Sequence, residues 1–394
     1  MTTNKTHAPI NFAVIGCGML ARSQHIPNLA ASSKAFLHTC CDLSDQALAE
    51  CRDRFGARRI TKDFNEAIRD PEVQAVCIAT TEKLRVPLIE AAAAAGKPVY
   101  CEKPLAQSLE QMYRIREIVH AAKIPFCVGH NRRSSPAMRE AYAIFREHMN
   151  HPKPCPWRFN REGAGRPHLA DDGLSGMSVR VNDDWWSWKS WVFDKTQAPH
   201  GPMLFEMTHF TDICNWFMAD EPVEVVALDH DIFNSACTIK YVGGAMATII
   251  MNANGTFGFP KERYEIFGNG AAVIIDHMLE ILTAGIEGAP VRRIYPMLND
   301  RHPGIGTEGG VSGWLAKKRA ACREAAEAGD SSLIFAAEPD KGHARAIDYF
   351  TDEITGEGPV VCGVDDAIRA TEVSFAAILA ARERRAVRLE ELRK

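Results

Sequence analysis

The hydrophobic pattern changes its period along the chain. Over residues 12–130, short apolar runs alternate with segments of helical spacing. Phe12–Ile15, Ala35–Cys41, Ala75–Ala79, Pro98–Cys101 and Pro125–Val128 read as buried strands, and Asp45–Phe55, Phe64–Arg69, Val86–Ala95 and Leu109–Ala122 as helices. This alternation predicts a parallel sheet flanked by helices. Beyond residue 220 the strands crowd together: Val223–Leu228, Ala236–Val242, Ala245–Asn252, Tyr264–Gly268 and Ala271–Asp276, with Gly243-Gly244 as a two-residue turn. That spacing predicts a mostly antiparallel sheet joined by hairpins. Between the two patterns, Phe159–Val181 is rich in Gly, Arg and Asp and reads as a long loop, and Met203–Trp216 reads as a helix. Met278–Asp340 reads as an irregular insert with a charged helix over Trp314–Ala328.

The first apolar run stops at Gly16-Cys17-Gly18-Met19-Leu20-Ala21, ahead of a helix. This is the G-x-G-x-x-A form of a dinucleotide fingerprint. Gly16 permits the turn, Gly18 lets the backbone approach a pyrophosphate, and Ala21 lets the helix lie close to the strand. Cys17, Met19 and Leu20 complete the loop that offers free N–H groups to the anion. The second strand ends in Asp42, at the spacing of a carboxylate that hydrogen-bonds an adenosine ribose. With Leu43 and Ser44 following and no Arg at hand, the acid favours NAD over NADP, although the Ser44 hydroxyl argues the other way. In an open α/β sheet the ligand sits beyond the carboxyl ends of the strands, so Gly16, Asp42, Thr80, Glu102, Lys103 and Asn131 are expected on one rim. The expected fold class is α/β plus α+β: an N-terminal Rossmann-type doubly wound parallel sheet, then a C-terminal, mostly antiparallel open-sheet domain.

Composition narrows the choice of partner. A chain of 394 residues is long enough for two cores, and 46 basic against 50 acidic residues leave a formal charge of -4. Such a balance gives no electrostatic case for nucleic acid or an anionic membrane, so a small molecule is expected. Met1–Pro9 lacks the apolar core of a signal peptide and no later stretch is apolar enough to span a bilayer, which makes the cytoplasm the expected compartment. The twelve cysteines scatter without a C-x-x-C pair and read as reduced, buried small residues. No Cys or His cluster has ligand spacing, so no metal is expected.

Three stretches taken together, Gly16 to Ala21, Gly96-Lys97-Pro98-Val99-Tyr100-Cys101-Glu102-Lys103-Pro104-Leu105 and Val128-Gly129-His130-Asn131-Arg132-Arg133, resemble the Gfo/Idh/MocA oxidoreductases, the glucose-fructose oxidoreductase and inositol dehydrogenase superfamily. The likeness is specific over residues 11–140 and looser beyond, and the Glu-Lys-Pro motif is its strongest part. It implies a dinucleotide domain over residues 1–132 and an α+β domain for substrate binding and oligomerisation over residues 133–363, with a Trp-rich loop at 157–201 and the insert at 278–340. It implies a homodimer or homotetramer formed through the open sheet. It also implies that the helix His343–Ile354 lies on that sheet and that a last helix, about residues 364–382, packs near the first domain.

The candidate chemistry centres on Lys103. A lysine beside an oxidised, positively charged nicotinamide, and partly removed from water, has a lowered pKa and suits removal of a hydroxyl proton while hydride leaves the same carbon. Standing alone, Lys103 reads rather as a surface lysine paired with Glu102. The resemblance makes Lys103 the catalytic acid/base and Glu102 a cofactor-positioning residue, with Pro104, often cis, turning the lysine inward. After His200-Gly201-Pro202, helical spacing puts Glu206, His209 and Asp212 on successive turns, and a carboxylate beside His209 would hold its tautomer. The bland reading is a satisfied core histidine; the resemblance makes His209 the partner of the motif lysine over the substrate. The acid usual four residues before that histidine is Phe205 here, which leaves Glu206 as the catalytic candidate and Asp212 as a substrate contact.

Three further features bear on specificity. Thr80-Thr81-Glu82-Lys83-Leu84-Arg85 departs from the family's Thr-Pro-Asn followed by His, so Thr80 keeps its cofactor contact while Glu82 and Arg85 change the polarity at the cofactor's edge. Asp183 to Trp191 holds four of the seven tryptophans. Trp185 and Trp186, beside two aspartates, suit stacking on a sugar ring as well as they suit core anchoring, which is the preferred reading for Trp191. Arg133 suits an anionic group on the substrate, or a structural carboxylate.

These features point to NAD-dependent oxidation of a secondary hydroxyl of a sugar, sugar acid or cyclitol, or the reverse reduction. An NAD-dependent glycosidase acting by transient oxidation, elimination and re-reduction would use the same lysine and cofactor. A non-catalytic NAD sensor on the same fold is a third reading.

Overall fold

A computed structural model describes residues 7–151, 175–185, 192, 194–196, 198–230, 234–297, 309–330 and 338–393. The chain divides into two compact units, Met1–Ser134 with Gly342–Thr371, and Ser135–Lys341 with Glu372–Lys394.

The first unit alternates strand and helix. In order it contains β1 (Ile10–Ile15), a π-helical turn (Ala21–His25) running into α1 (Ile26–Ala31), β2 (Ala35–Cys41), α2 (Asp45–Phe55), β3 (Arg59–Thr61), α3 (Phe64–Arg69), β4 (Ala75–Ile78), α4 (Arg85–Ala94), β5 (Val99–Cys101), α5 (Leu109–Ala122) and β6 (Phe126–Val128). The six strands are parallel, in the order β3-β2-β1-β4-β5-β6. Strand order reverses between β1 and β4, the switch point at which such sheets bind nucleotides. The strands are continuous apolar runs because both faces are covered: Ala13, Val76 and Val99 belong to one buried cluster, and Phe12, Val14 and Cys77 to the other. Ser44, Asp63 and Ser108 cap α2, α3 and α5 by accepting from backbone N–H groups.

The second unit begins with α6 (Pro136–Asn150) and β7 (Ser175–Asn182). A short α7 (Gly201–Phe205) leads to α8 (Met207–Met218), followed by β8 (Pro222–His230), β9 (Asn234–Tyr241), β10 (Met246–Asn252), β11 (Glu262–Gly268), β12 (Ala271–Asp276), β13 (Glu280–Ala284), β14 (Arg292–Ile294) and α9 (Gly310–Ala328). After α10 (His343–Thr355) and α11 (Val364–Glu383), the strand β15 (Val387–Arg388) completes a nine-stranded sheet ordered β14-β13-β12-β11-β7-β10-β9-β8-β15. All its pairings are antiparallel except β7 with β10. One face is buried under apolar side chains of α6, α8 and the second half of α11, including Phe145, Phe210, Phe217 and Ala376.

The structure departs from the sequence reading in four places. The stretch read as a loop to Val181 contains β7 at the centre of the second sheet; Met177, Val179 and Val181 alternate inward, a period hidden by the Gly- and Asp-rich residues before it. The helix expected over Met203–Trp216 is broken at Glu206, whose φ of -109° separates α7 from α8. The insert is more regular than expected, supplying β13, β14 and α9. The α10 helix belongs to the first unit rather than lying on the second sheet, because Ala346, Ile347 and Phe350 pack into the cluster of β1, with the Phe350 ring 6.2 Å from Phe12 and 5.9 Å from Tyr100. The unit boundary itself falls within α11, whose early residues Val364, Ala367 and Ile368 join one core and whose later residues Val373 and Ala377 join the other. Among the described residues no helix is long and apolar enough to cross a membrane.

Candidate active site

The rim of the first sheet is built by a ladder of backbone bonds at the strand ends. Gly16 N–H donates to the Cys41 carbonyl (2.8 Å), Ala79 to Ile15 (2.9 Å), Glu102 to Ile78 (2.9 Å) and Gly129 to Cys101 (2.8 Å). Each strand therefore ends level with its neighbour, which brings Gly16, Thr80, Glu102, Lys103 and the turn after β6 to one edge. Gly16 is required at its position: φ is +91°, and a Cβ there would stand 2.9 Å from the Ala79 carbonyl and from Thr80 Cγ2. Gly18 has the opposite environment, with nothing within 4 Å of where its side chain would begin. That open cradle over the loop fits a pyrophosphate.

Asp42 closes the loop from below. Its Oδ2 accepts from Cys17 N–H (2.7 Å) and its Oδ1 from Ser44 N–H (2.8 Å). The Ser44 hydroxyl is used as the cap of α2, accepting from Ala47 N–H at 3.2 Å. Asp42 is thus the polar group fixed at the end of β2, where a ribose-binding acid is required, and the residues present fit a dinucleotide.

Glu102 is the most heavily constrained residue of the rim. Its Oε1 lies 2.8 Å from His25 Nε2, and its Oε2 accepts from Lys103 N–H at 3.0 Å. Burial by itself would raise this carboxyl, but the His25 hydrogen bond and the charges of His25, Lys103 and Arg85 outweigh it and hold the group at about 2. Gly129 makes room for it, since a Cβ there would come within 2.8 Å of Glu102 Oε1. The Lys103–Pro104 peptide is cis. Lys103 is half-buried and Asn131 is buried in the turn after β6.

Glu82 and Arg85, expected to change the polarity at the cofactor's edge, are turned inward. Arg85 is 2% exposed; it donates to the Thr80 carbonyl (3.2 Å) and the Lys103 carbonyl (3.5 Å), and pairs with Glu82 (3.5 Å). Gln107 donates to the other Glu82 oxygen at 3.1 Å. The guanidinium thus clips the residue after β4 to the Lys103 backbone. Arg133 is buried too, donating to the Val361 carbonyl (3.0 Å) and lying 3.3 Å from Asp366, so its guanidinium anchors the chain ahead of α11.

In the second unit, His209 occupies the first turn of α8, buried, with its N–H donating to the Glu206 carbonyl at 3.1 Å. Asp212 follows on the same helix and is fully buried. The break at Glu206 redirects that side chain: Oε1 accepts from Lys261 Nζ (2.8 Å), which also bridges to Asp183 (2.7 Å). Glu206 is therefore tied to the start of β11. Trp185 is pinned by Nε1–H to Asn254 Oδ1 (2.9 Å) and by its N–H to the Ala253 carbonyl (2.7 Å), which favours anchoring. Trp186 and Trp191 lie outside the described residues.

Sequence reasoning missed His25, Arg85 as a structural clip, and Lys261. A histidine four residues after Ala21, on the helix that follows a glycine loop, was the available signal for the first; the other two depend on partners remote in sequence.

A glycine loop, an acid ending the second strand and a lysine on the shared rim define a dinucleotide-dependent oxidoreductase. Residues 10–130 match the model of the oxidoreductase family with the NAD-binding Rossmann fold, GFO_IDH_MocA. It is 25% identical over 274 residues to the myo-inositol 2-dehydrogenase of Thermotoga maritima, covering 69% of this chain and 76% of that one. Among solved structures it resembles the aldose-aldose oxidoreductase of Caulobacter crescentus, crystallised with glycerol (TM-score 0.71, 19% identity, 96% of this chain and 99% of that chain). It also resembles the scyllo-inositol dehydrogenase of Lactobacillus casei with bound NAD(H) and scyllo-inositol (TM-score 0.69, 17% identity, 97% and 99%). These structural likenesses establish the fold.

Proposed function

We propose that the protein is an NAD-dependent dehydrogenase that oxidises a secondary hydroxyl of a sugar, sugar acid or cyclitol, or reduces the corresponding ketone. The observation that carries this reading is the Glu102–Lys103 pair: a buried carboxylate, locked by His25, fixes the backbone of a lysine on the rim that holds the glycine loop. NAD, when bound, would supply the hydride acceptor for the carbinol carbon. The protein's part is to hold the dinucleotide through Gly16, Gly18, Thr80 and Asp42, and to accept the hydroxyl proton at Lys103 Nζ. His209, buried in the first turn of α8 with Asp212 further along the same helix, is the second acid/base group of this reading. Asp42 at the ribose position, with the Ser44 hydroxyl committed to its helix, supports NAD over NADP. Relatives named as inositol dehydrogenases and as levoglucosan dehydrogenase support the substrate class.

The outer face of the second sheet supports association with further copies. Val226 and Leu228 on β8 and Met246 and Ile250 on β10 alternate with core residues and are about half exposed or more. These exposed apolar side chains on one face are the surface a homodimer or homotetramer would cover.

The test is to incubate the protein with NAD and a panel of free sugars, sugar acids, inositols and aryl glycosides, following nicotinamide reduction and aglycone release together. Sustained reduction on a free polyol is expected. Aglycone release without accumulating NADH would replace the reading with a redox-assisted glycosidase, and NAD binding with silence in both channels would contradict catalysis on this class.

A further inference from the structure

Three cysteines from different elements converge beneath the glycine loop. Cys17 stands between Gly16 and Gly18, Cys40 on β2 and Cys51 on α2; all three are fully buried, and their Sγ atoms lie within 4.8 Å of one another. A cation bonded to three sulfurs at about 2.3 Å sets those sulfurs about 4 Å apart, so the cluster is close to the geometry of a trigonal thiolate site. The surroundings are dry and apolar, formed by Val14, Ala21, Ala47 and Leu48 of the same core. No His or carboxylate belongs to the group among the described residues. An all-sulfur, three-donor, water-free set disfavours the oxygen-seeking cations and four-coordinate zinc, and selects a soft cation.

Arg22 Nε is buried without a hydrogen-bond partner, while its Nη1 pairs with Glu50. The Cys17 thiol donates to the Cys41 carbonyl at 3.7 Å, a weak bond that is given up when the thiol ionises.

We propose that Cys17, Cys40 and Cys51 form a three-thiolate site for one soft monovalent cation, with copper(I) as the ion this donor set fits. Binding exchanges the three thiol protons, released to solvent, for one metal ion. Because the ligands come from the loop, β2 and α2, the bound ion would staple the dinucleotide loop to the strand that carries Asp42.

The experiment is anaerobic titration of the full chain with copper(I) against a chromophoric copper(I) chelator, followed by X-ray absorption of the loaded protein. One ion per chain with three sulfur neighbours is expected. Cys40→Ala and Cys51→Ala are expected to lose it, and Cys77→Ala and Cys237→Ala, which alter buried cysteines elsewhere, to keep it. No copper retained against the chelator, nitrogen or oxygen among the neighbours, or unchanged binding by folded Cys40→Ala and Cys51→Ala would overturn the proposal. If neither ligand variant folds, the sulfur count of the unsubstituted protein decides alone.

Discussion

His25 Nε2 lies 2.8 Å from Glu102 Oε1, joining the helix after the glycine loop to the residue before the candidate catalytic lysine. Both side chains are almost wholly buried, at 1% and 7% exposed. Their pairing turns a carboxylate in a dry site into a fixed anion that the Lys103 backbone N–H can use as an anchor. The rim thus depends on a contact between residues 77 positions apart.

Removing His25 strands that anion. His25→Ala is expected to cost about 3–5 kcal/mol near neutral pH, the range for leaving a buried charge without its partner. Because the Glu102 carboxyl is depressed from 4.5 to about 2, its contribution is complete above about pH 4.5 and fades as pH falls toward about 2. The deficit of the variant should shrink in that window when unfolding is followed in denaturant across pH. In kinetics, kcat should fall more than the KM for NAD rises. A deficit that persists unchanged in acid would mean that Glu102 is not its source.

Asp42 sets the nucleotide preference if its carboxylate meets the ribose. Asp42→Asn keeps an acceptor for Cys17 N–H but loses the charge. The ratio of kcat/KM for NAD to that for NADP should drop about tenfold, as expected for a charged hydrogen bond. An unchanged ratio would move the preference to other residues.

His277 is a pH-sensitive weak point of the second unit. Burial beside Trp314, whose ring is 4.4 Å away, pushes its pKa from 6.5 down to about 3, and Nδ1 accepts from Lys261 N–H at 3.2 Å. The unfolded chain takes up this proton below about 6.5 while the folded chain does not, so stability falls by about 1.4 kcal/mol per pH unit on acidification from there toward about 3. His277→Asn also suits the positive φ of 52° and removes the titration, and it should flatten this slope in denaturant melts. An equal slope in the variant would refute the assignment.

Glu353 on α10 behaves in the opposite sense. Burial raises its carboxyl from 4.5 to about 7, and Oε2 is buried without a hydrogen-bond partner in a cleft lined by Val119, Phe126, Val360 and Asp366. The folded chain holds this proton more tightly, so stability is lost as pH rises from about 4.5 through about 7. Glu353→Gln should gain about 2 kcal/mol at about pH 8 and little at about pH 4, read by thermal melts at both.

Much of the rim was legible because its signals are local. Gly16-Cys17-Gly18, Asp42 and Glu102-Lys103-Pro104 each sit within a few residues of the strand end that positions them. The alternation of elements likewise gave the parallel sheet nearly strand by strand. What escaped depends on contacts remote in sequence. The His25–Glu102 pair, the Arg85 clip onto the Thr80 and Lys103 carbonyls, and the meeting of Cys17, Cys40 and Cys51 all arise from sheet order rather than from spacing. The tie of Glu206 to Lys261 joins residues 55 positions apart and has no signal in local spacing. The strand β7 escaped because residues poor in apolar character precede its alternating half.

The most direct test of the account is the single-turnover rate of Lys103→Met, measured with NAD and the best polyol from the panel, alongside NAD affinity. The account predicts a loss of about 100- to 10,000-fold in the hydride-transfer rate with NAD binding nearly unchanged, since the lysine moves a proton and the glycine loop and Asp42 hold the dinucleotide. A variant that transfers hydride at the rate of the unsubstituted protein would contradict it.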